Sequence, residues 1–411
     1  METKAVMALP DDMLTNILSR LPARSLVASQ RVCKAWRDLV GDRGLLLPHT
    51  VRGLFINYQD YGKPHFFARP PLAAAADGAR IKGKVDFIVR ELNGNGYSYS
   101  CWHEVADHCN GLVLYRDTDQ NVLYVLNPTT RRWARLPPCS GEAYGRRAFL
   151  VFDPAVSPVY KVLLAPRDRR KNEAEEKDAF RLMDWPPSAW TWDDSRRGPG
   201  CGRRRCSSTK ARRQGQLMSW LSLVKDKYQV IKSPIDLAEC KNDVRSFLGR
   251  SKDGVYFGAI NDDAKLRVWM FTESYDQTGW VSKHESNLKT NSWSLHEWNC
   301  DELEYDAPWI MDIANKKRYK EVSLQQDVCW NSDDDDIIDV TDDEEESCFS
   351  YVRFLGFHPY KEVIFLCDEG IAVACHLNSS KVQYLGPIHL GGIYNRGDRE
   401  TFVYTPCLIG D

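Results

Sequence analysis

The sequence predicts an architecture that is α+β by segments: a small N-terminal three-helix unit, then a large all-β domain of propeller type. Three observations predict it. A helix-period apolar stripe is confined to the first fifty or so residues. From about Val51 onward, short β-branched or aromatic runs alternate with turns rich in Asn, Asp, Gly and Pro. Thirteen Trp and eighteen Tyr in 411 residues favour strands over a helical bundle.

In the first helix Leu14, Ile17, Leu18 and Leu21 fall at i, i+3, i+4 and i+7, a single apolar stripe. Pro10 suits its first turn, and Asp11 and Asp12 place negative charge at the positive end of the helix dipole. Pro22 stops it. A second short helix opens around Arg24-Ser25-Leu26, and a third carries Val32, Trp36, Leu39 and Val40, with Gly41 placed to end it. Three helices crowded into some forty residues bury little among themselves, so the unit is expected to lean on a partner.

The β texture follows one grammar of strand, polar turn and aromatic-bearing strand. Gly111 to Tyr115 and Val122 to Leu126 are strands, Asn127-Pro128-Thr129-Thr130 is a turn, and Arg131-Arg132-Trp133 leads back into a strand. The pattern returns from Phe149 through Asp153-Pro154 to Leu164, from Leu266 to Trp280, and from Cys375 through Asn378-Ser379-Ser380 to Leu385. A degenerate repeat of this kind suits propeller blades or a related stack of antiparallel sheets. Two stretches break it: a basic Gly-Arg segment at 196–213 and an acidic run at 333–346, both expected as exposed loops. Domain bounds follow: helices in 1–50, a connecting segment in 51–100, and the β domain in 101–411.

The net charge of −2 gives no overall pull toward nucleic acid or acidic membrane. No apolar run approaches the ~20 residues that span a bilayer, and the N-terminus has no secretory pattern, so a chain of the cytoplasm or nucleus is expected. Thirteen scattered cysteines without an export signal read as thiols rather than as a disulfide framework.

From Leu9-Pro10-Asp11-Asp12-Met13-Leu14 through Ile17-Leu18-Ser19-Arg20-Leu21-Pro22, with Leu26, Val32-Cys33-Lys34-Ala35-Trp36-Arg37 and Leu39, the chain closely resembles the F-box family. The resemblance implies docking on a Skp-type adaptor, and through it on cullin and RING subunits. Carried over, it implies that Leu9, Pro10, Leu14, Ile17, Leu18, Leu21, Pro22, Leu26 and Val32 form or support the adaptor-facing surface. Cys33 and Trp36 are expected to lock the helices together. His108-Cys109-Asn110-Gly111-Leu112, Asn127-Pro128-Thr129-Thr130-Arg131-Arg132-Trp133, Phe152-Asp153-Pro154, Gly356-Phe357-His358-Pro359 and Tyr404-Thr405-Pro406 resemble, in that order, the kelch-like, F-box-associated domain of plant F-box proteins. Between Trp192 and Leu221 this chain departs from that pattern. One blade is therefore expected to be incomplete or interrupted by an insertion.

No reacting group is nominated. His103-Glu104 and His108 are five apart, not the four that would put both imidazoles on one metal, and no Cys-x-x-Cys hook supports them; no metal or cofactor is expected. Gly94-Asn95-Gly96 is too short for a phosphate cradle and reads as a tight turn, and no Gly-x-Ser-x-Gly elbow occurs. The expected role is a non-catalytic receptor that brings an unidentified target protein to a ubiquitin ligase. Against it stand an F-box protein acting outside a ligase, and a propeller-type ligand-binding protein or enzyme.

Overall fold

The computed structural model describes residues 9–45 except 22 and 44, 50–69 except 60–61, 85, 102–136, 147–153, 159–165 and 181–184. It also describes 217–235 except 223–226, 244–288 except 252–253, 262 and 274–277, 308–312, and 352–407 except 369, 380 and 389–397. Three helices come first: α1 (Asp11–Ser19), α2 (Ala23–Ser29) and α3 (Lys34–Asp42). Among the described residues, all regular structure after them is strand.

Among the described residues the strands form six antiparallel sheets. Four are meanders in sequence order: β3 (His103–Cys109) with β4 (Leu112–Asp117), β5 (Val122–Asn127) and β6 (Arg132–Arg135); β7 (Arg147–Val151) with β8 (Lys161–Ala165) and β9 (Arg181–Asp184); β12 (Arg245–Ser251) with β13 (Gly254–Ile260), β14 (Lys265–Glu273) and β15 (Thr278–Asn287); and β17 (Arg353–Phe357) with β18 (Val363–Asp368), β19 (Ile371–His376) and β20 (Val382–Pro387). A fifth is the hairpin β10 (Leu217–Ser222) and β11 (Lys227–Lys232). The sixth joins the two ends of the β region: β16 (Ile310–Met311), β2 (His65–Ala68), β1 (Gly53–Tyr58) and β21 (Asp398–Tyr404) lie in that order.

That sixth sheet places strands β1 and β2 inside the stretch expected to lead into the β domain. Leu54 pairs with Val403 and Phe55 with Phe402, and every residue of β1 is buried. The run Gly53-Leu-Phe-Ile-Asn-Tyr has no polar alternation because both of its faces are covered. Leu54, Ile56 and Phe67 pack with Phe365 and Leu385 of the β17–β20 sheet, whereas Phe55 and Phe66 pack with Val113, Tyr115 and Leu126 of the β3–β6 sheet.

Each neighbouring pair of sheets encloses its own apolar layer. Trp309, 1 % exposed, fills the layer beside β2 and β18, with ring centroids 5.4 Å from Phe67 and 6.4 Å from Phe365. Side chain-to-backbone hydrogen bonds tie one sheet to the next. Asn57 Nδ2 donates to Val105 O at 2.9 Å, and Val105 N donates to Asn57 Oδ1 at 3.1 Å. Leu150 N donates to Asp107 Oδ2 at 2.7 Å, and Thr401 Oγ1 donates to Leu355 O at 2.6 Å. The register of β3 slips between Val105 and Asp107, at the Val105 backbone groups that Asn57 takes, and that of β17 slips between Phe354 and Gly356, at the Leu355 carbonyl that accepts from Thr401.

Sheet-to-sheet contacts run β7 to β3, β3 to β21, β21 to β17, and β17 to β12. The arc therefore begins at the β7–β9 sheet and ends at the β12–β15 sheet. The β10–β11 hairpin falls between these two in sequence and reaches the latter through Trp280 Nε1, which donates to Lys232 O at 2.8 Å. Among the described residues the arc does not close into a ring. The sheets of fewest strands, β7–β9 and β10–β11, flank the stretch where the sequence departs from the expected pattern. The basic segment 196–213 and the acidic run 333–346 lie outside the described residues, as do Gly94-Asn95-Gly96 and Cys101.

Gly41 does not end α3, which runs on to Asp42 with Arg43 as its C-cap in right-handed helical conformation. A Cβ at Gly41 would meet nothing within 4 Å. Because alanine loses less backbone freedom on folding than glycine, Gly41→Ala is expected to stabilise the helical unit by about 0.5–1 kcal/mol. Thermal melting of the two proteins checks this, and an unchanged or lower midpoint would count against the helical placement.

Candidate functional site

Among the described residues, the helical unit has a core of four buried side chains, Leu14, Leu18, Leu26 and Val40, with Leu21, Trp36, Leu39 and Leu45 partly buried against them. Pro10 stands at the N-cap of α1 rather than in its first turn, with φ −55° and ψ 143°, and its carbonyl accepts Leu14 N at 3.0 Å. Asp12, besides facing the helix dipole, accepts a hydrogen bond from Arg43 Nη2 at 2.8 Å and so links the start of α1 to the end of α3. With Asp12 87 % exposed, that pair contributes little to stability. Ser29 Oγ donates to Leu26 O at 2.6 Å and closes α2.

The apolar stripe read from the sequence divides in two. Leu14 and Leu18 point inward and Leu21 is half-buried, but Ile17 is 47 % exposed. Ile17 lies one residue, hence about 100° of helix turn, from Leu18. It lines up instead with Met13, 57 % exposed, four residues earlier on the same helix, and Leu9, just before the N-cap, is 50 % exposed. Val32, in the turn between α2 and α3, is 64 % exposed. These four account for most of the large apolar side chains that the described residues expose; the others are Trp102, Trp133 and Val281. Met13 was not singled out by the motif, although its offset of four from both Leu9 and Ile17 is visible in the sequence.

The structure thus separates the motif residues into two groups. Leu14, Leu18, Leu26 and in part Leu21 hold the helices together, while Leu9, Pro10, Ile17 and Val32 remain at the surface. Pro22 lies outside the described residues. Trp36 is half-buried against the helical core, in keeping with internal support. Cys33 is not: its side chain is exposed, and its extended backbone, φ −158° and ψ 170°, only starts α3. With its thiol at the surface, Cys33 does not lock the helices.

The histidines of β3 serve the sheet rather than a metal. His103 stacks on Tyr115 with centroids 5.5 Å apart, and His108 stands edge-on to Phe402 at 5.8 Å. Burial pushes the His108 pKa down to about 4, which favours the neutral ring. Cys109 Sγ donates to Phe152 O at 3.2 Å. Among the described residues no three His, Cys, Asp or Glu side chains gather as metal ligands would, and no helix is long and apolar enough to cross a membrane.

Comparison with known proteins agrees with this layout. Residues 6–47 match the F-box-like family model, and residues 62–188 match that of the F-box associated beta propeller domain. The second match begins before β2, in accord with the β role of that stretch. Similar relatives include the Arabidopsis thaliana F-box/kelch-repeat protein At3g61590, 34 % identical over 136 residues, which are 31 % of this chain and 29 % of that one. The Arabidopsis thaliana F-box protein At3g07870 is 28 % identical over 164 residues, 38 % of this chain and 37 % of that one. The chain spans less than half the length of these curated relatives. A solved structure of apo AztD from Citrobacter koseri covers 69 % of this chain and 71 % of its own at 10 % identity, but with a TM-score of 0.27 the superposition is too loose to bear on the fold. With the helical motif and the strand order both accounted for, the chain is similar over these two stretches to F-box proteins that carry an F-box-associated β-propeller domain.

Proposed function

We propose that this chain is the target-recruiting subunit of a Skp-cullin-F-box ubiquitin ligase. The observation that carries the reading is the set of exposed apolar side chains Leu9, Met13, Ile17 and Val32 on a helical unit whose core, among the described residues, holds four buried side chains. A unit this thin gains stability by covering exposed apolar side chains with a partner, and each Leu or Ile that becomes fully buried is worth roughly 1.5–3 kcal/mol. A Skp-type adaptor is the partner the F-box match points to, and through it the cullin and RING subunits.

The β domain then serves as the receptor for a target protein. Its six antiparallel sheets, with β1 and β21 sharing one of them, fit the blades of a propeller. The chain supplies position rather than a reacting group. Holding the target near the ubiquitin-loaded enzyme raises its effective concentration.

Co-purification with a Skp-type adaptor and a cullin tests the reading. The wild-type chain should retain both. Ile17→Asp and Val32→Asp are each expected to cut adaptor retention ~10-fold or more, because a carboxylate must then be desolvated in an apolar interface. Neither should lower the melting temperature, since both positions are exposed. Leu18→Ala is the contrast: removing a side chain 0 % exposed should cost about 2–5 kcal/mol of stability in the helical unit. A wild-type chain that retains no adaptor would sink the ligase reading, and full retention by Ile17→Asp would sink the residue assignment.

A further inference from the structure

The outermost strand of the β3–β6 sheet is short and basic, and among the described residues it has a strand partner on one side only. β6 pairs only with β5 among the described strands. Its register places Arg135 opposite Tyr124, Ala134 opposite Val125, and Trp133 opposite Leu126. Just past it, Leu136 N donates to Leu123 O at 2.8 Å. Hydrogen-bonded and non-bonded pairs alternate along an antiparallel ladder. Ala134 and Arg132 therefore share their backbone groups with β5, and Trp133 and Arg135 turn their N–H and C=O groups to the free edge.

The side chains on this edge suit one kind of visitor. Arg132 and Arg135 are exposed and form no ion pair among the described residues. Trp133 is 38 % exposed and leans on the Tyr124 ring, with centroids 6.0 Å apart at 66°. Trp133 and Arg135, two residues apart, lie on one face of the strand, and Arg132 lies on the other. No acidic residue occurs in Arg131-Arg132-Trp133-Ala134-Arg135. Like charges on an edge repel a second copy of the same edge, whereas an acidic strand meets complementary charge on both faces.

We infer that β6 is a docking edge that takes an extended acidic segment of the target protein by strand addition. This deepens the receptor role proposed above and rests on it. Backbone hydrogen bonds to Trp133 and Arg135 supply a register, Arg132 and Arg135 select for carboxylates, and the Trp133 ring covers an apolar side chain between them. A single nucleic acid strand would also meet arginine and an aromatic ring. It could not use the outward N–H and C=O pairs in a strand register, and such binding calls for a longer basic groove.

The test uses the full chain with its adaptor and a short fluorescein-labelled peptide of alternating glutamate and valine, read by fluorescence anisotropy. Binding should fall ~10-fold or more in the Arg132→Glu, Arg135→Glu double variant with an unchanged melting temperature, and in Trp133→Ala measured well below its own, lower melting temperature, because that change also removes the packing on Tyr124. It should weaken as salt rises, and a peptide of alternating lysine and valine should not bind. N-methylation of alternate backbone amides in the acidic peptide should abolish binding, because it removes the donors that strand addition needs. Equal binding of the N-methylated peptide, tighter binding of an oligonucleotide of equal charge, or indifference to the double variant would each overturn the inference. Adaptor retention measured on the same samples separates this outcome from a failure of the ligase reading, since β6 is no part of the helical unit.

Discussion

Replacing Gly111 by alanine is expected to cost the β domain at least about 3 kcal/mol. Gly111 is the second residue of the two-residue loop between β3 and β4. Cys109 pairs with Leu112 across that loop, and Asn110 and Gly111 both have positive φ, 46° and 83°. An Asn-Gly pair in this geometry is the preferred tight hairpin connection, because only residues tolerant of positive φ give the turn the twist of its strands. Two costs therefore add at Gly111. Alanine is disfavoured at this φ, and its Cβ would stand 2.4 Å from both Cys407 Cβ and Cys407 N. Those neighbours are backbone and the first side-chain atom, so no rotamer change relieves the clash. The hairpin tip would have to lift off the segment after β21, where Asn127 Nδ2 donates to Cys407 O at 3.2 Å. Asn110→Gly is the control: it keeps the turn and loses only the Asn110 Nδ2 donation to Phe152 O at 2.7 Å, worth about 1 kcal/mol. Urea unfolding of both variants decides it, and a Gly111→Ala chain within 1 kcal/mol of wild type would mean that the hairpin does not pack on the C-terminal segment.

The same hairpin shows what the sequence makes legible. Asn110-Gly111 and Asn127-Pro128-Thr129-Thr130 announce turns through local chemistry, and Asn127 Oδ1 does accept Thr129 N and Thr130 N at 3.0 and 3.3 Å. The flanking strands follow from short-range patterning and lie where it puts them. The place of β1 was not legible, because its partner β21 is at the other end of the β region and long-range pairing leaves no local mark. The helical stripe was legible as a stripe but not as two surfaces: Ile17 and Leu18 are both aliphatic neighbours, and only the position of α2 and α3 around α1 sends one outward and one inward. Cys33 failed for a related reason, since its outward direction depends on the backbone turn entering α3. The openness of β6 also had to await the sheet order, although its arginines and tryptophan stand plainly in the sequence.

Stability is expected to fall steeply as pH drops below about 6.5, through histidines that the fold holds neutral. His358, 1 % exposed, accepts two backbone hydrogen bonds at Nδ1, from Tyr360 N and Lys361 N at 3.0 Å each. That nitrogen must stay unprotonated, and a cation on the ring would be buried beside Lys361 and His376. Burial first, then those two charges, push its pKa down to about 3. His108 is wedged against Phe402, and burial holds it at about 4. A folded pKa below the unfolded value means that the unfolded chain binds more protons between the two. The stabilisation is thus fully present above pH 6.5, erodes as pH falls, and is lost once pH passes through about 4 for His108 and about 3 for His358. Between pH 6.5 and 5, each site should give up about 2 kcal/mol at 1.36 kcal/mol per unit. His358→Asn isolates the cause. Asparagine offers a carbonyl oxygen to the same two amides as an Asx-type turn does, and it does not titrate. Urea midpoints measured from pH 7.5 to 5 should show a shallower decline for His358→Asn than for wild type, with the two closest at the acidic end. Parallel curves would show that His358 takes no part in acid unfolding and that other groups, carboxylates first among them, set its course.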